Sequence, residues 1–249
     1  FPVWKRVAVY RRPGTDFSQQ TEALAAAIGG IGETLHQKKA DIAVVLGDRL
    51  EAFAGASAAY FSRTVCAHLH GGEKSDCHMD DATRHAITRL SHLHFPATDQ
   101  SAGRLKAMGE EPFRIHRFGA PGLDALRSLA PPSKKEVMKQ YGFSSAEPLI
   151  VFLFHPETSR WNEAGTQAAV ILEAIQKKTR HILALYPNGD PGSSGIIETL
   201  KQAGGNVVLK DNLNRDAFLA VFSRADALVG NSSCGLIEGS FLGTPVLNA

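Results

Sequence analysis

Short apolar, β-branched runs recur along the chain, each closed by glycine, proline or a charge and most followed by a stretch with helical spacing. DIAVVL, ending at Gly47, reads as a buried parallel strand, and an alanine-rich helix is predicted after it. TVCAHLH, HLHFPAT and FRIHRFG are the next predicted strands, with DDATRHAITRLS and DQSAGRLKAMG as the helices between them. Around Ala130 the segment APPSKKE interrupts the rhythm, because its two prolines lack donors and push the residue before each towards extended geometry. The alternation then resumes with PLIVFLF, HILALYP, NVVLK, DALVG and PVLN, separated by helical stretches such as RDAFLAVFSRA. Such repetition predicts stacked βαβ units, hence an α/β fold of two doubly wound Rossmann-like domains over 1–130 and 131–249.

In sheets of this kind the ligand lies outside the carboxyl ends of the strands, so the residues just after each strand carry the chemistry. Here they are GDR, HGGE, GAPG, HPETS, PNGDPGSSG and GNSSCG, almost all polar or glycine-rich. GNSSCGLIE joins a strand to a helix, where backbone N–H groups and hydroxyls at the positive helix end suit a phosphate. The plain alternative is an ordinary turn with Ser232 or Ser233 as N-cap. PNGDPGSSG repeats the arrangement with Ser193 and Ser194, and two such helix starts favour a diphosphate. Neither loop is a P-loop or a G-x-G-x-x-G fingerprint, which argues against ATPase and NAD-dependent chemistry. His155, after PLIVFLF, is placed to donate to a phosphate or merely to close its strand; Glu238 is a ribose acceptor or a solvated charge.

In the first half, Asp48 and Arg49 follow a strand, where a carboxylate is costly unless paired or functional. The bland account is an N-cap aspartate with an arginine partner. Glu73 and Asp80 lie on one loop leading into a helix, close enough to share a site as an acid/base pair. His68 and His70 are expected on opposite faces, one in the core and one towards a ligand. With His78, His85, His92 and His94 they also admit a metal-dependent hydrolase, although no compact three-ligand spacing emerges.

Composition narrows the partners. Basic and acidic side chains nearly balance, 27 against 25, so no broad positive field invites nucleic acid or a membrane surface, and a small molecule is expected. Cys66, Cys77 and Cys234 are odd in number and lack a C-x-x-C pair, which points to a reducing cytoplasm rather than a disulfide framework. The start FPVWKRVAVYRR lacks signal-peptide features, and no apolar run is long enough to span a bilayer. Because the chain opens on Phe1 and closes on the strand-like TPVLNA, pieces are expected to be missing at both ends.

GDRLEAF, HLHGGE, DDATRHAITRLSHLHF and GAPGLD resemble the hydrolysing UDP-N-acetylglucosamine 2-epimerases, as do HPETS, YPNGDPGSSGIIE and GNSSCGLIEGSFLGTPVLN in the same order. The resemblance implies a GT-B-like architecture, two domains facing a cleft, with UDP held mainly by the second and the sugar worked on by the first. It implies removal of the C2 proton with loss of UDP, a glycal-like intermediate, then addition of water at C1 and reprotonation of C2 from the other face. The products would be UDP and a free N-acetylmannosamine-type sugar for sialic-acid-like synthesis, without metal, nicotinamide or other cofactor, in a cytoplasmic homo-oligomer. Carried over, Asp48, Glu73, Asp80 and His70 are the acid/base candidates; Arg49, His155, Asn188, Ser193, Ser232, Ser233 and Glu238 contact the UDP-sugar. His70 stands where the non-hydrolysing branch has a catalytic glutamate, and KSDCHM is one residue longer than the family spacing, which brings Asp76 and Asp81 into consideration. GDR and HGGE favour the hydrolysing branch. The family's opening strand with its basic loop, and the basic segment after the last strand, have no counterpart in the sequence, so this piece alone is expected to bind UDP weakly. A GT-B glycosyltransferase, a non-catalytic nucleotide-sugar sensor and a metal hydrolase are the competing readings.

Overall fold

The computed structural model describes residues 3–9, 17–75, 78–144, 147–204 and 207–249, and the chain divides into two units, Phe1–Pro121 and Gly122–Ala249. The first unit runs α1 (Phe17–Lys38), β1 (Ile42–Leu46), α2 (Leu50–Phe61), β2 (Val65–Leu69), α3 (His78–Leu90), β3 (Leu93–Phe95) and α4 (Asp99–Ala107). Its strands form a parallel sheet in the order β1-β2-β3, with Ile42 opposite Val65 and Ala67 opposite Leu93. Val45 and Cys66 turn towards Ala52, Ala56 and Ala59 of α2 and Ile87 of α3. Those alanines are the physical reason α2 can lie close on the sheet: its fully or nearly fully buried face presents methyl groups to the strands, with half-buried Phe53 beside them.

Two expectations change here. DIAVVL is not buried on both faces: β1 is an edge of the described sheet, and Ile42, Val44 and Leu46 are exposed while Ala43 and Val45 pack inward. FRIHRFG is not a strand either. Pro112–Arg114 form a 3₁₀ turn, and only Ile115 bridges to His94. Pro112 sits at the first position of that turn, where its missing donor costs nothing.

The second unit contains α5 (Asp124–Arg127), α6 (Lys134–Gln140), β4 (Leu149–Leu153), α7 (Ala164–Gln176), β5 (His181–Leu185), α8 (Ser193–Gln202), β6 (Val207–Lys210), α9 (Arg215–Phe222), β7 (Ala227–Gly230), α10 (Ser233–Leu236), α11 (Glu238–Leu242) and β8 (Val246–Asn248). The division between the units falls ahead of the expected boundary near Ala130. Residues 122–132 are tied to the second unit by Arg215, which donates to the Gly122 carbonyl at 2.6 Å, and by Arg224, which donates to those of Pro132 and Pro131 at 2.8 and 3.2 Å. After the prolines, Ser133 and Glu136 exchange hydrogen bonds in a capping box that starts α6.

The second sheet is parallel throughout, in the order β6-β5-β4-β7-β8. Alternation along β4 and β5 splits their side chains between two cores. Phe152, Ile182 and Ala184 meet Ala168, Leu172 and Ile196 of α7 and α8, while Val151 and Leu183 meet Val137, Val221 and Phe222 of α6 and α9. Helices on both faces explain why these strands read as unbroken apolar runs. Truncating fully buried Phe152 or Phe222 to alanine should cost about 3–5 kcal/mol. β8, by contrast, is an edge with Leu247 exposed rather than the buried strand PVLN suggested. Among the described residues no helix is long and apolar enough to cross a membrane.

Candidate active site

In the first unit the ends of neighbouring strands bring the chemistry together. The Gly47 N–H donates to the Leu69 carbonyl at 3.0 Å, and the His70 N–H to that of Phe95 at 3.0 Å, so β1 and β2 end level with their neighbours. Gly47 takes φ +76° and opens the turn that presents Asp48 and Arg49. His70 also lies in the left-handed region, at φ +61°, a conformation that costs a non-glycine residue about 1–3 kcal/mol and is held only by surrounding contacts. Residues two apart in a strand share a face, so strand alternation cannot separate His68 from His70, contrary to the expectation from the sequence. The separation comes from the backbone: β2 ends at Leu69, and the left-handed turn swings His70 away.

His70 Nδ1 lies 2.6 Å from Glu73 Oε1. With the carboxylate accepting, Nδ1 carries the proton, and in the neutral ring Nε2 holds a lone pair available to a substrate. Arg84, from the second turn of α3, completes the group. Its Nη2 pairs with Asp48, and its Nη1 reaches the His70 carbonyl at 2.9 Å and Glu73 Oε2 at 3.4 Å. The side chains of Asp48, His70 and Glu73 retain 20%, 12% and 27% exposure, enough to meet a ligand, whereas Arg84 keeps only 8%.

Asp80 is exposed in the first turn of α3, four positions before Arg84 and so on the same helix face. Asp81 is committed elsewhere: its Oδ1 accepts from the Ser75 N–H and hydroxyl, both at 2.9 Å, fastening the loop after Glu73 to the helix. Burial raises the pKa of the Asp81 carboxyl, but those two hydrogen bonds, with Arg84 and His85 nearby, outweigh it and leave the value lowered. Asp76 lies outside the described residues. Arg49, at the N-cap of α2, is 43% exposed and 3.6 Å from Glu51.

Among the described residues the remaining histidines do not assemble, and the His78 side chain lies outside them. His68 is fully buried; its Nε2 lies 2.8 Å from the Gly47 carbonyl and its Nδ1 3.2 Å from the Thr88 hydroxyl. A carbonyl only accepts, so Nε2 bears the proton and Nδ1 accepts from Thr88, which leaves neither nitrogen for a metal. Burial, aided by the nearby Arg84 charge and opposed by the Gly47 hydrogen bond, lowers the His68 pKa to about 4, so the ring is neutral at pH 7. His94 is also buried, with Nε2 3.0 Å from Glu110, and burial outweighs that carboxylate to lower its pKa. His92 Nδ1 accepts from the Cys66 N–H at 3.1 Å. Among the described residues no group of three potential ligands is placed to hold a metal ion.

In the second unit the strand order reverses direction at β4 and β7, the switch point where doubly wound sheets bind ligands. His155 follows β4 and Asn231 follows β7. Asn231 clamps the other loop, accepting from the His155 N–H at 2.7 Å and donating to its carbonyl at 2.9 Å. From the end of β5, the Asn188 N–H donates to His155 Nδ1 at 3.1 Å, which assigns the ring proton of neutral His155 to Nε2, a donor suited to an anion. Asn188 Oδ1 is buried with no partner among the described residues. Ser193 is buried as the first residue of α8, behind N-cap Gly192.

Ser232 is the N-cap of α10 but makes no side-chain capping bond, and the expected single helix breaks at Ile237 into four- and five-residue pieces. The helix-dipole argument is therefore weaker at Ser232 and Ser233 than at α8. Glu238 is not a solvated charge: its side chain is 11% exposed and accepts from Arg215 at 3.1 Å. A cavity of about 610 Å³ also opens beside Asn231, lined by Phe154, Glu157, Arg160 and Gln167 among others, but neither His155 nor the serines line it.

Arg84 and Asn231 are the members that reading the sequence missed. A signal existed for the first: Arg84, Ile87, Thr88 and Ser91 recur at helical spacing and are all buried, and an arginine on a buried face demands carboxylate partners. Asn231 was visible only as part of the GNSSCG loop.

A family profile described as UDP-N-acetylglucosamine 2-epimerase matches residues 7–249. Over 234 residues the chain is 34% identical to a UDP-N-acetylglucosamine 2-epimerase of Neisseria meningitidis serogroup B, covering 92% of this chain and 62% of that protein. It is 33% identical over 235 residues to a UDP-N,N'-diacetylbacillosamine 2-epimerase (hydrolyzing) of Legionella pneumophila, again covering 92% and 62%. The chain thus spans about three-fifths of these relatives' length. Its fold is similar to the crystal structure of UDP-GlcNAc 2-epimerase from Neisseria meningitidis bound to UDP-GlcNAc, with TM-score 0.74, 20% identity, and 95% and 66% of the two chains covered. The Methanocaldococcus jannaschii UDP-GlcNAc 2-epimerase in complex with UDP-GlcNAc and UDP gives TM-score 0.74 at 19% identity, covering 92% and 65%. The fold class of these neighbours, two Rossmann-like α/β domains of the GT-B-like kind, is the one expected from the strand and helix pattern.

Proposed function

Because the chain belongs to the UDP-N-acetylglucosamine 2-epimerase family, we propose that it supplies the catalytic and nucleotide-binding residues of a hydrolysing 2-epimerase acting on UDP-N-acetylglucosamine or a UDP-diacetamido relative. One observation carries the reading: Asp48, His70 and Glu73, from the ends of two adjacent strands and the loop after them, converge on one buried arginine and keep part of their surface accessible. A definite chemical task follows from that set. His70 Nε2, oriented through Nδ1 by Glu73, takes the C2 proton while the C1–O bond breaks and its electron pair leaves with UDP. Water then bonds to C1 and gives its proton to a carboxylate, and a proton is returned to C2 on the opposite face, with Asp48 and Asp80 as the groups that handle these transfers. The balance is UDP-sugar plus water going to UDP plus the free 2-epimer.

The departing diphosphate relieves the charge that develops as C2 is deprotonated, so donors fixed where that anion forms contribute directly to rate. We assign this to the start of α8 at Ser193, to the Ser232–Ser233 turn and to His155 Nε2–H, with Asn188 Oδ1 and Glu238 accepting from the nucleoside. The hydrolysing branch is favoured by His70 in place of a catalytic glutamate, by the GDR and HGGE loops, and by the hydrolysing activity of the Legionella relative. A cytoplasmic enzyme feeding synthesis of a sialic-acid-like sugar fits this chemistry.

The test uses the full-length protein carrying this chain, given UDP-N-acetylglucosamine and no acceptor. Equimolar UDP and a free 2-epimeric sugar are expected. UDP still attached to the epimerised sugar would establish the non-hydrolysing branch, and sugar transfer only upon addition of an acceptor would establish a glycosyltransferase.

A further inference from the structure

Resting on that reading, we infer that Arg84 is the positioning residue of the candidate site, a planar hub that fixes Asp48, Glu73 and the His70 backbone relative to one another without touching the sugar. Arg84 holds a carboxylate from the β1 turn, a carboxylate from the loop after β2, and the carbonyl of the left-handed residue between them. These segments are not otherwise fixed by regular structure: Asp48 sits in a turn, and His70 through Ser75 run from a turn into irregular chain. Arg84 itself has a firm base, since Ile87 and Thr88 bury the same face of α3 and Ser91 is buried just past its end. It is 7% exposed, and its Nε is buried with no partner among the described residues, so the two terminal nitrogens carry every polar contact.

A guanidinium suits the task and an ammonium does not. Two nitrogens in a fixed plane, separated by the fork, address Asp48 on one side and Glu73 with His70 on the other. Lysine would supply the same charge at one point and leave the relative placement of the carboxylates open. Misplacing reacting groups by about 1 Å costs roughly 100-fold in rate.

The experiment compares Arg84→Lys and Arg84→Ala in the full-length protein, with Arg89→Lys as control, since Arg89 lies on the same helix but is 60% exposed and pairs with Glu110 away from the site. Arg84→Lys should keep thermal stability and UDP affinity near wild type while kcat falls about 100-fold, and added guanidinium ion should recover kcat in Arg84→Ala by at least about 10-fold. Independently of turnover, the downfield proton resonance of His70 Nδ1–H, 2.6 Å from Glu73, should be lost or shifted in Arg84→Lys and kept in Arg89→Lys. Wild-type kcat in Arg84→Lys, or an unchanged resonance, overturns the inference, because charge alone would then suffice. A wild-type protein that releases no UDP fails the 2-epimerase reading, and the resonance still decides the role of Arg84.

Discussion

Gly47 and Gly72 share φ +76° but not their surroundings, which makes a pair of alanine substitutions a direct test of how the site is built. A Cβ on Gly47 would meet nothing within 4 Å. A Cβ on Gly72 would lie 2.4 Å from the Ser101 carbonyl oxygen and 3.0 Å from Leu105 Cγ. At both positions the left-handed backbone costs alanine about 1–2 kcal/mol, offset by about 0.4–1 kcal/mol from the stiffer unfolded chain, so Gly47→Ala should lose about 0–1.6 kcal/mol. At Gly72 the clash is with backbone, so α4 or the loop must shift, which adds about 1–3 kcal/mol. That shift also strains the hydrogen bond Arg104 donates to the Gly72 carbonyl at 3.0 Å, with about 1 kcal/mol at stake. The expected gap between the variants is therefore about 2–4 kcal/mol, which at 2–4 °C per kcal/mol separates their melting temperatures by roughly 4–16 °C. Thermal melts and urea midpoints of the full-length variants read it, and kcat should fall with Gly72→Ala because Glu73 is the next residue. Equal losses, or the larger loss at Gly47, would refute the claim that the HGGE loop is seated against α4.

Three further outcomes follow. The His68 pKa of about 4 lies below its unfolded value of about 6.5, so the unfolded chain takes up more protons in that range: stability is full above pH 6.5 and falls towards pH 4. At about 1.4 kcal/mol per pH unit this is roughly 3 kcal/mol, and His68→Gln should flatten, without abolishing, the difference in urea midpoints over that window, since His94 titrates in the same direction; parallel curves would contradict it. Ser193→Asp puts a negative charge at the start of α8, and calorimetry should find UDP binding weakened by more than about 10-fold, with unchanged affinity ruling that helix start out of the phosphate site. EDTA treatment should leave UDP release unaltered, because both His68 nitrogens are already bonded within the protein; loss of activity restored by a divalent metal would revive the hydrolase reading.

The central strands of the second unit and the loops after them were legible because a parallel sheet covered on both faces writes unbroken apolar runs, as LIVFL and HILAL do. The residues after those runs, His155 and Asn188, could be collected without coordinates for the same reason, whereas Asp48 follows β1, whose apolar run is exposed on one face. FRIHRFG misled because its apolar pattern suits a strand, while the structure gives it only a 3₁₀ turn and one bridge to His94. α1 went unremarked: its glycines and alanines give a weak apolar stripe, and much of it is exposed or half-buried. Which face His70 takes depends on a single left-handed residue, a choice that periodicity does not encode. The pairing of Arg84 with Asp48 joins residues far apart in the chain, so only the register of β1 and β2 and the seating of α3 bring them together.

The central claim is proton chemistry at C2 driven by the group around Arg84, and running the reaction in D₂O tests it most directly. Full-length protein with UDP-N-acetylglucosamine or a UDP-diacetamido sugar should release free 2-epimer carrying one deuterium at C2, together with one UDP per sugar. Free sugar that keeps protium at C2 would contradict the account, since its configuration would then have changed without the proton leaving.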